Sequence, residues 1–177
     1  MTENRRLAAI LAADVVGYSR LMQEDEAGTL AALKQRRKEI LEPTLARHRG
    51  RVVKLMGDGV LVEFGSAVAA VQCAVELQQA MSAAVSSNDA NDQKRKTILL
   101  RIGVNLGDVI VEGSDLYGDG VNIAARLEAL AEPGSICISA KVRDEVQGKI
   151  DVKLEDMGEV ALKNMERPVL SRFRQRL

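Results

Sequence analysis

Two aspartates lie at positions where an ionised carboxylate loses solvation free energy unless a cation or a hydrogen-bond donor binds it. Asp14 ends the apolar run 7–13, and Asp58 occupies the Gly-Asp-Gly turn between two β-rich runs. Close carboxylates repel each other unless a cation lies between them, and hard oxygen ligands favour Mg²⁺, Mn²⁺ or Ca²⁺ over zinc. The two acids therefore predict a divalent-cation site. The alternative is that Asp14 caps the turn after it and that Asp58 only serves a tight turn.

The segment that follows the first acid has features of a phosphate-binding turn. Within residues 15–19, Gly17 lets a ligand approach the backbone closely. If a helix begins near Ser19, its first N–H groups and its positive dipole end can receive phosphate oxygens. Neither a GxxxxGK[ST] loop nor a GxGxxG motif is present, so the turn predicts a triphosphate site only together with a nearby divalent ion.

The segment from Asp115 to Arg126 carries a second polar pattern. Asn122 and Arg126 are four residues apart, so a helix places them on the same face. An isolated pair of this kind is more typical of a solvated polar stripe. Its occurrence in one chain with the two acids and the glycine turn favours a functional face.

A set of short elements must position these side chains. Strands are predicted over 7–13, 51–56, 60–64, 97–104, 108–111 and 135–139, and helices over 24–47, 67–85 and 118–130. Pro43 predicts a kink in the first helix, and residues 105–107 predict a turn between two strands. Residues 86–96 are expected to form a polar surface loop, and residues 153–177 to supply edge strands.

This order of elements predicts an α+β fold with a ferredoxin-like βαββαβ core, whose antiparallel sheet has helices on one face and extra C-terminal strands. In this topology the hairpin pairs beside the first strand, so Asp14 and Asp58 meet at one edge of the sheet. The other face needs cover from the C-terminal elements or from a second copy of the chain. No repeat or linker divides the sequence, and we expect residues 1–177 to be a single domain.

Composition excludes several classes of function. The 25 basic and 25 acidic side chains balance, which argues against a nucleic-acid partner or a membrane surface. Cys73 and Cys137 are expected to be core thiols in a reducing compartment. The apolar run before Asp14 is too short for a signal peptide or a membrane span, so we expect a soluble, cytoplasmic protein.

Three motifs in order make the chain resemble the class III nucleotidyl cyclase catalytic domain, and bacterial adenylate cyclases in particular. They are residues 14–19 (DVVGYS), 54–59 (KLMGDG) and 115–126 (DLYGDGVNIAAR). The C-terminal residues 162–164 with Pro168 and Val169 are similar to the family's closing strands. In this family the domain is commonly joined to other modules, so the resemblance allows the chain to be a fragment of a longer protein that has a regulatory domain.

The resemblance implies a metal and phosphate site at the end of the first strand. Asp14 and Asp58, with Val15 beside them, would bind two divalent cations, Mg²⁺ or Mn²⁺, with Ca²⁺ as a non-productive occupant. The backbone around Gly17, Tyr18 and Ser19 would contact phosphates.

The resemblance also implies roles for the remaining site residues. Lys54 and Asp115 would select the purine, Asn122 would orient the ribose, Arg126 would stabilise the reacting α-phosphate, and Lys163 would contact the terminal phosphates. In the family the active site lies between two catalytic domains, which implies a head-to-tail homodimer. One chain would then supply the metal site, and its partner the base, ribose and transition-state residues.

The purine-selecting pair that the resemblance implies favours ATP over GTP as the substrate, and therefore an adenylate cyclase. Adenine N1 accepts a hydrogen bond and its N6 amino group donates one, which matches Lys54 as donor and Asp115 as acceptor; guanine inverts both contacts. One departure from the family is Asp108, which stands after Gly107 where some members carry a basic residue that holds phosphate. The rival hypotheses are a cyclase-like nucleotide-binding or dimerisation module, and a palm-type polymerase or diguanylate synthase.

Overall fold

The central strand β1 (Arg5–Val15) organises the molecule, because its small and branched apolar side chains suit a position between two other strands. The structure is a computed structural model that describes residues 4–86, 97–151, 154–156 and 170–173. β1 pairs antiparallel with β3 (Gly59–Phe64) on one side and with β4 (Leu100–Glu112) on the other. Its C-terminal end, which carries Asp14, thus lies between two neighbouring strands.

The remaining described elements extend this sheet and cover it. The other strands are β2 (Arg51–Met56), β5 (Asp115–Tyr117), β6 (Ile136–Ser139), β7 (Leu154–Asp156) and β8 (Leu170–Phe173). The helices are α1 (Tyr18–Glu24), α2 (Glu26–Arg36), the π-helical segment Arg37–Leu41, α3 (Glu42–Arg47), α4 (Ala67–Ser86), α5 (Asp119–Leu130) and α6 (Ala140–Val146). The sheet order is β2-β3-β1-β4-β6-β8-β7, with β5 paired to β4. The β4–β6 pair is parallel and the other described pairs are antiparallel. The predicted α+β fold is confirmed.

The two faces of β1 meet different helices. Successive side chains of a strand alternate between faces. Ala9, Leu11 and Ala13 lie in a core formed with α3 and α4, which are the helices of the predicted split unit. Ala8, Ile10 and Ala12 lie in a second core that includes residues of α5. The opposite face, for which we expected cover from C-terminal elements or a second copy, is therefore covered in part by α5.

The predicted helix 24–47 is interrupted in the structure. It begins earlier, at Tyr18, and is divided into α1, α2, the π-helical segment and α3. Pro43 occupies the first turn of α3, where its missing N–H is tolerated. A proline within a continuous helix would lose a hydrogen bond and clash with the preceding turn, and the wider π-helical segment just before it avoids this conflict. The expected kink is thus a change of helix type.

The predicted turn at residues 105–107 is wrong, because β4 continues through it as one strand paired with β1. Asn105 is buried, and its side-chain Nδ2 donates to the Gly120 carbonyl at 3.0 Å. Gly107 lies against the Cα of Gly120. The polar and small residues that resemble a turn signal instead form the surface of β4 on which α5 packs. We call this contact, made by Gly103, Gly107 and Gly120, the glycine seat.

Several other predictions concern the periphery. The hairpin formed by β2 and β3 is confirmed. Of the edge strands expected from residues 153–177, β7 is at the edge of the sheet, whereas β8 lies between β6 and β7. Ser86 ends α4, and the rest of the predicted loop 86–96 lies outside the described residues. Cys73 and Cys137 are both buried and unbridged, and burial raises their thiol pKa values to about 12 and about 11. Across the described part of the chain, the helices lack the length and apolar character that crossing a membrane requires.

The seat of α5 leads to a stability prediction. A Cβ at Gly103 would lie 2.3 Å from the backbone N of Glu128 and 2.4 Å from the Ala124 carbonyl O, neither of which can rotate away. We expect Gly103→Ala to lower the free energy of unfolding by about 1–3 kcal/mol, measured by urea denaturation. The control is Gly65→Ala, where the added Cβ meets nothing within 4 Å. It should change stability by less than about 0.5 kcal/mol. Equal effects of the two substitutions would contradict the tight seat.

Candidate active site

The first part of the site lies at the end of β1. Even-numbered residues of β1 face α5, so Asp14 projects to that side of the sheet. Its cross-strand partner on β4 is Arg101. The guanidinium donates twice to the carboxylate, from Nε to Oδ1 at 3.0 Å and from Nη2 to Oδ2 at 2.6 Å. This two-point arrangement is the strongest geometry available to an arginine and a carboxylate.

The second acid, Asp58, is brought beside the first by the β2–β3 hairpin. Gly57 has a φ of 55°, a left-handed conformation that allows the tight turn. The β1–β3 register pairs Ala13 with Val60, which places the turn next to the end of β1. The backbone N–H of Val15 donates to Asp58 Oδ2 at 3.1 Å. The predicted meeting of Asp14 and Asp58 at one edge of the sheet is thus present.

Lys54 reaches the same face of the sheet because β2 contains a bulge. The pairing of β2 with β3 shifts between Val52 and Lys54, so that Lys54 lies opposite Leu61. Leu61 belongs to the core on the α5 face. Without the extra residue, Lys54 would lie opposite Val60 and its side chain would point to the other face. The bulge therefore decides which side of the sheet receives this ammonium group.

Lys54 is part of a three-residue arrangement with β5. Its Nζ lies 3.1 Å from Asp115 Oδ2 and 5.0 Å from the centre of the Tyr117 ring. A hydrogen bond between the Tyr117 side chain and Asp115 is the largest cause that lowers the pKa of Asp115, followed by the contacts with Lys54 and the Leu116 N–H. Asp115 is thus ionised and held from several sides, while Lys54 keeps further N–H donors for a ligand.

Helix α5 contributes the second polar pattern. It starts after Gly118, whose φ of 106° turns the chain from β5 into the helix. Asn122 is exposed on the first turns, and Arg126 lies one turn later and is half-buried. The helix is held on β4 by the glycine seat, so both residues have a fixed position relative to the sheet.

One cavity connects most of these groups. It has a volume of about 540 Å³ and is lined by residues of β1, β2, β3 and α5, with Tyr117 at one side. Its polar lining comprises Asp14, Lys54, Asp58, Asn122, Tyr117 and Glu128. Arg126 is not among the residues that line it. The cavity of one chain therefore gathers both acids with Lys54 and Asn122, which the resemblance assigns to opposite chains of a composite site, but not with Arg126.

Glu128 of α5 is a third acid on this cavity. Burial, a hydrogen bond with Asp14 and the negative charge of Asp14 raise the pKa of Glu128 to about 8. A carboxyl group with such a pKa is mostly protonated at neutral pH and can donate a hydrogen bond to Asp14. Asp14 is thus in direct contact with both Arg101 and Glu128, and Asp58 lines the same cavity.

The remaining predicted residues lie apart from this cavity or outside the described chain. Gly17 precedes α1 with a φ of 66°, and Ser19 is exposed in the first turn. Tyr18 packs against the apolar cluster of Val15 and Leu21 and does not line the cavity. Lys163 falls outside the described residues, so its expected role stays a prediction.

The donor set fits hard divalent cations. Asp14 and Asp58 offer carboxylate oxygens in one cavity, and within the described chain nothing donates to Asp58 Oδ1. Among the described residues, no three or more His, Cys, Asp or Glu side chains form a ready metal-binding group. A cation held by these two aspartates would therefore need further oxygens, from the backbone, from water or from a substrate phosphate.

Three residues of the site were not identified from the sequence: Arg101, Glu128 and Tyr117. Tyr117 is two residues after Asp115, a spacing that places both on one face of a strand, so this signal was available. Glu128 lies two residues after Arg126 and could not be linked to Asp14 without the helix position. Arg101 becomes the partner of Asp14 only through the β1–β4 register.

Comparisons with known proteins identify the family of the chain. Residues 2–172 match the family model described as adenylate and guanylate cyclase catalytic domain. The chain is 59% identical over 165 residues to a protein of Rhizobium meliloti (strain 1021) named "Putative adenylate cyclase 3", covering 93% of this chain and 27% of that protein. The chain therefore belongs to the adenylate and guanylate cyclase catalytic domain family, whose members use divalent metal ions.

Solved structures show the same fold. An adenylate/guanylate cyclase/hydrolase from Silicibacter pomeroyi superimposes with a TM-score of 0.87 at 41% identity, covering 99% of this chain and 100% of that one. The adenylyl cyclase CyaB from P. aeruginosa gives a TM-score of 0.83 at 24% identity, over 100% of this chain and 98% of that one. The chain thus matches the full length of the solved Silicibacter pomeroyi chain but covers 27% of the length of its Rhizobium relative.

Proposed function

We propose that the protein is the catalytic domain of an adenylate cyclase that converts ATP to 3′,5′-cyclic AMP and pyrophosphate. The observation that carries this proposal is the cavity shared by Asp14, Asp58, Lys54 and Asn122. It combines oxygen ligands for a cation with a purine-selecting cation and a ribose-orienting amide. Family membership and the name of the Rhizobium relative support the same activity. ATP as substrate fits the cytoplasmic location expected from the sequence.

The triphosphate end of the substrate would lie near Asp14 and Asp58. Two divalent cations, Mg²⁺ or Mn²⁺, would be held there with Val15 beside them, and would supply activation of the 3′-hydroxyl and neutralisation of phosphate charge. Asp58 is fixed for this task by the Val15 N–H, and Asp14 by its position near the end of a strand that pairs with β3 on one side and β4 on the other. The backbone of residues 17–19 and Lys163 would contact the phosphates.

The base would be recognised by Lys54 and Asp115. The two side chains already form an ion pair, so an adenine edge can bridge them with little reorganisation. Lys54 donates to adenine N1, and Asp115 accepts from the N6 amino group. Tyr117 holds Asp115 through its hydroxyl and places its ring beside the Lys54 ammonium, which keeps both in the orientation that suits adenine.

The chemical step needs little from the side chains beyond position and charge. Asn122 orients the ribose so that O3′ lies in line with the α-phosphorus. A new O3′–P bond forms, the bond to the bridging oxygen breaks, pyrophosphate leaves with the electron pair, and the hydroxyl proton passes to solvent. Arg126 stabilises the negative charge that grows on the α-phosphate oxygens.

A second copy of the chain would complete the site. The resemblance assigns the metal site to one chain and the transition-state cation to its partner, and Arg126 does not line the cavity that contains the two acids of its own chain. The hairpin next to the cavity exposes apolar side chains, with Leu55 52% and Met56 55% accessible. Such side chains at the cavity mouth are typical of a surface that another protein covers. We infer a head-to-tail homodimer with two composite sites.

Incubation of the purified protein with ATP and Mn²⁺ or Mg²⁺ tests the proposal. We expect cyclic AMP and pyrophosphate in equal amounts, a lower rate with GTP, and loss of at least about 100-fold in kcat for Asp58→Ala because the cation site is destroyed. Chromatography with mass detection identifies the products. Nucleotide binding without any product would support a binding module and contradict the cyclase.

Base selection predicts a change in the ratio of kcat/KM for ATP to that for GTP. Lys54→Glu combined with Asp115→Cys removes both adenine contacts, so we expect weaker use of ATP and a ratio closer to one. Tyr117→Phe removes only the hydroxyl that holds Asp115, and should raise KM for ATP by about fivefold, the effect of one hydrogen bond. An unchanged ratio in the double variant would remove Lys54 and Asp115 from the base pocket.

A further inference from the structure

Arg101 binds the carboxylate of Asp14, which the proposed function assigns as a ligand of a metal ion. The two residues are directly opposite each other on β4 and β1. Both oxygens of Asp14 accept a hydrogen bond from the guanidinium, and the side chains are only 31% and 19% exposed. The pair thus has two well-formed contacts in a partly desolvated place, where charge interactions are stronger than on an open surface.

Arg101 also faces the other acids of the cavity. Hydrogen bonding to Asp14 is the largest cause that raises the pKa of Arg101, and the charges of Asp14, Glu128 and Asp58 add to it. One guanidinium therefore offsets the repulsion of neighbouring carboxylates, which is also the task of a divalent ion at this place. Its Nη1 reaches the Ala129 carbonyl at 3.5 Å, so Arg101 has partners on α5 as well as on β1.

We propose that Arg101 is a positioning residue, which holds Asp14 in the metal-free protein. A divalent cation must displace Arg101 from this carboxylate in order to bind there. The inference rests on the proposed function, since it takes Asp14 as a metal ligand. Two positive groups cannot share one carboxylate without repelling each other. Arg101 therefore lowers the metal affinity of the empty site, and on displacement it turns towards its partners on α5, Glu128 and the Ala129 carbonyl.

A second arginine in the chain shows what a purely structural pair looks like. Arg51 Nη2 lies 2.6 Å from Glu63 Oε2, a distance equal to the closest contact between Arg101 and Asp14. The Arg51 pair does not line the cavity. Arg51 donates from Nε and Nη2 to the single oxygen Oε2, and Arg6 binds the other oxygen of Glu63. Arg51→Gln and Arg101→Gln therefore remove the same group from two ion pairs with the same closest distance, of which only one includes a proposed metal ligand.

Mn²⁺ binding to the nucleotide-free protein tests the proposal without any activity measurement. Titration followed by electron paramagnetic resonance of free Mn²⁺ should give a Kd for Arg101→Gln that is about tenfold lower than for wild type, because a competing charge is gone. Arg101→Lys keeps the charge but loses the two-point contact, and should give an intermediate Kd. Arg51→Gln should leave the Kd unchanged, and Asp14→Asn added to Arg101→Gln should abolish the gain.

Thermal unfolding distinguishes this role from a structural one. Without metal, Arg101→Gln should melt below wild type, because Asp14 loses both guanidinium contacts. Arg51→Gln should melt less far below wild type, because Glu63 keeps its contact with Arg6. Mn²⁺ should raise the Tm of Arg101→Gln by more than that of wild type or Arg51→Gln. A folded Arg101→Gln whose Mn²⁺ affinity equals or falls below that of wild type would overturn the proposal.

The wild-type protein provides a measurement that does not depend on the folding of a variant. The Arg101 Nε–Hε signal, assigned by its absence from Arg101→Lys, should shift when saturating Mg²⁺ displaces the guanidinium from Asp14. An unchanged signal at a Mg²⁺ concentration that calorimetry shows to saturate the protein would contradict the displacement. Cyclic AMP formation by wild type together with either contrary result would overturn this inference alone. Absence of product would instead overturn the proposed function.

Discussion

Repulsion between the carboxylates of Asp14 and Asp58 is the constraint on which the rest of the site depends. The β1–β3 register and the Val15 N–H hold Asp58 beside the end of β1, so the two acids cannot separate without breaking the sheet. In the structure the compensating charge is Arg101, directly across from Asp14 on β4. Because the fold holds these acids close together, a positive charge beside them lowers their electrostatic repulsion. A divalent cation bound with the triphosphate would have the same effect as Arg101.

Two local irregularities place the side chains that we propose to bind the nucleotide around that pair of acids. The bulge in β2 turns Lys54 to the face where Asp14 lies, and thereby allows its ion pair with Asp115. The glycine seat formed by Gly103, Gly107 and Gly120 lets the α5 backbone approach β4 closely and fixes Asn122 and Arg126 relative to the sheet. Neither device contributes chemistry of its own. Each decides the distance and direction at which a reactive side chain reaches the cavity.

The parts of the fold and site that could be predicted carry local signals. An acid after an apolar run and a Gly-Asp-Gly turn identify Asp14 and Asp58, and the hairpin follows from the residues at its turn. The turn predicted at residues 105–107 is part of β4, because glycine and asparagine are as suitable for a close helix contact as for a turn. Helix α6 was missed, although Ser139 accepts from the Val142 N–H as its N-cap. The role of Arg101 could not be predicted, since its pairing with Asp14 depends on the register between β1 and β4, which are far apart in the sequence.

The most direct test of the account is complementation between two inactive chains. Asp58→Ala removes a proposed metal ligand from one half of each proposed composite site, and Arg126→Ala removes the proposed transition-state cation from the other half. If a partner chain completes the site, a mixture in equal amounts with demonstrated subunit exchange should regain about a quarter of wild-type activity, because half of the dimers contain one intact site of two. A mixture of Asp14→Ala with Asp58→Ala should stay inactive. No recovery in the first mixture would contradict shared sites.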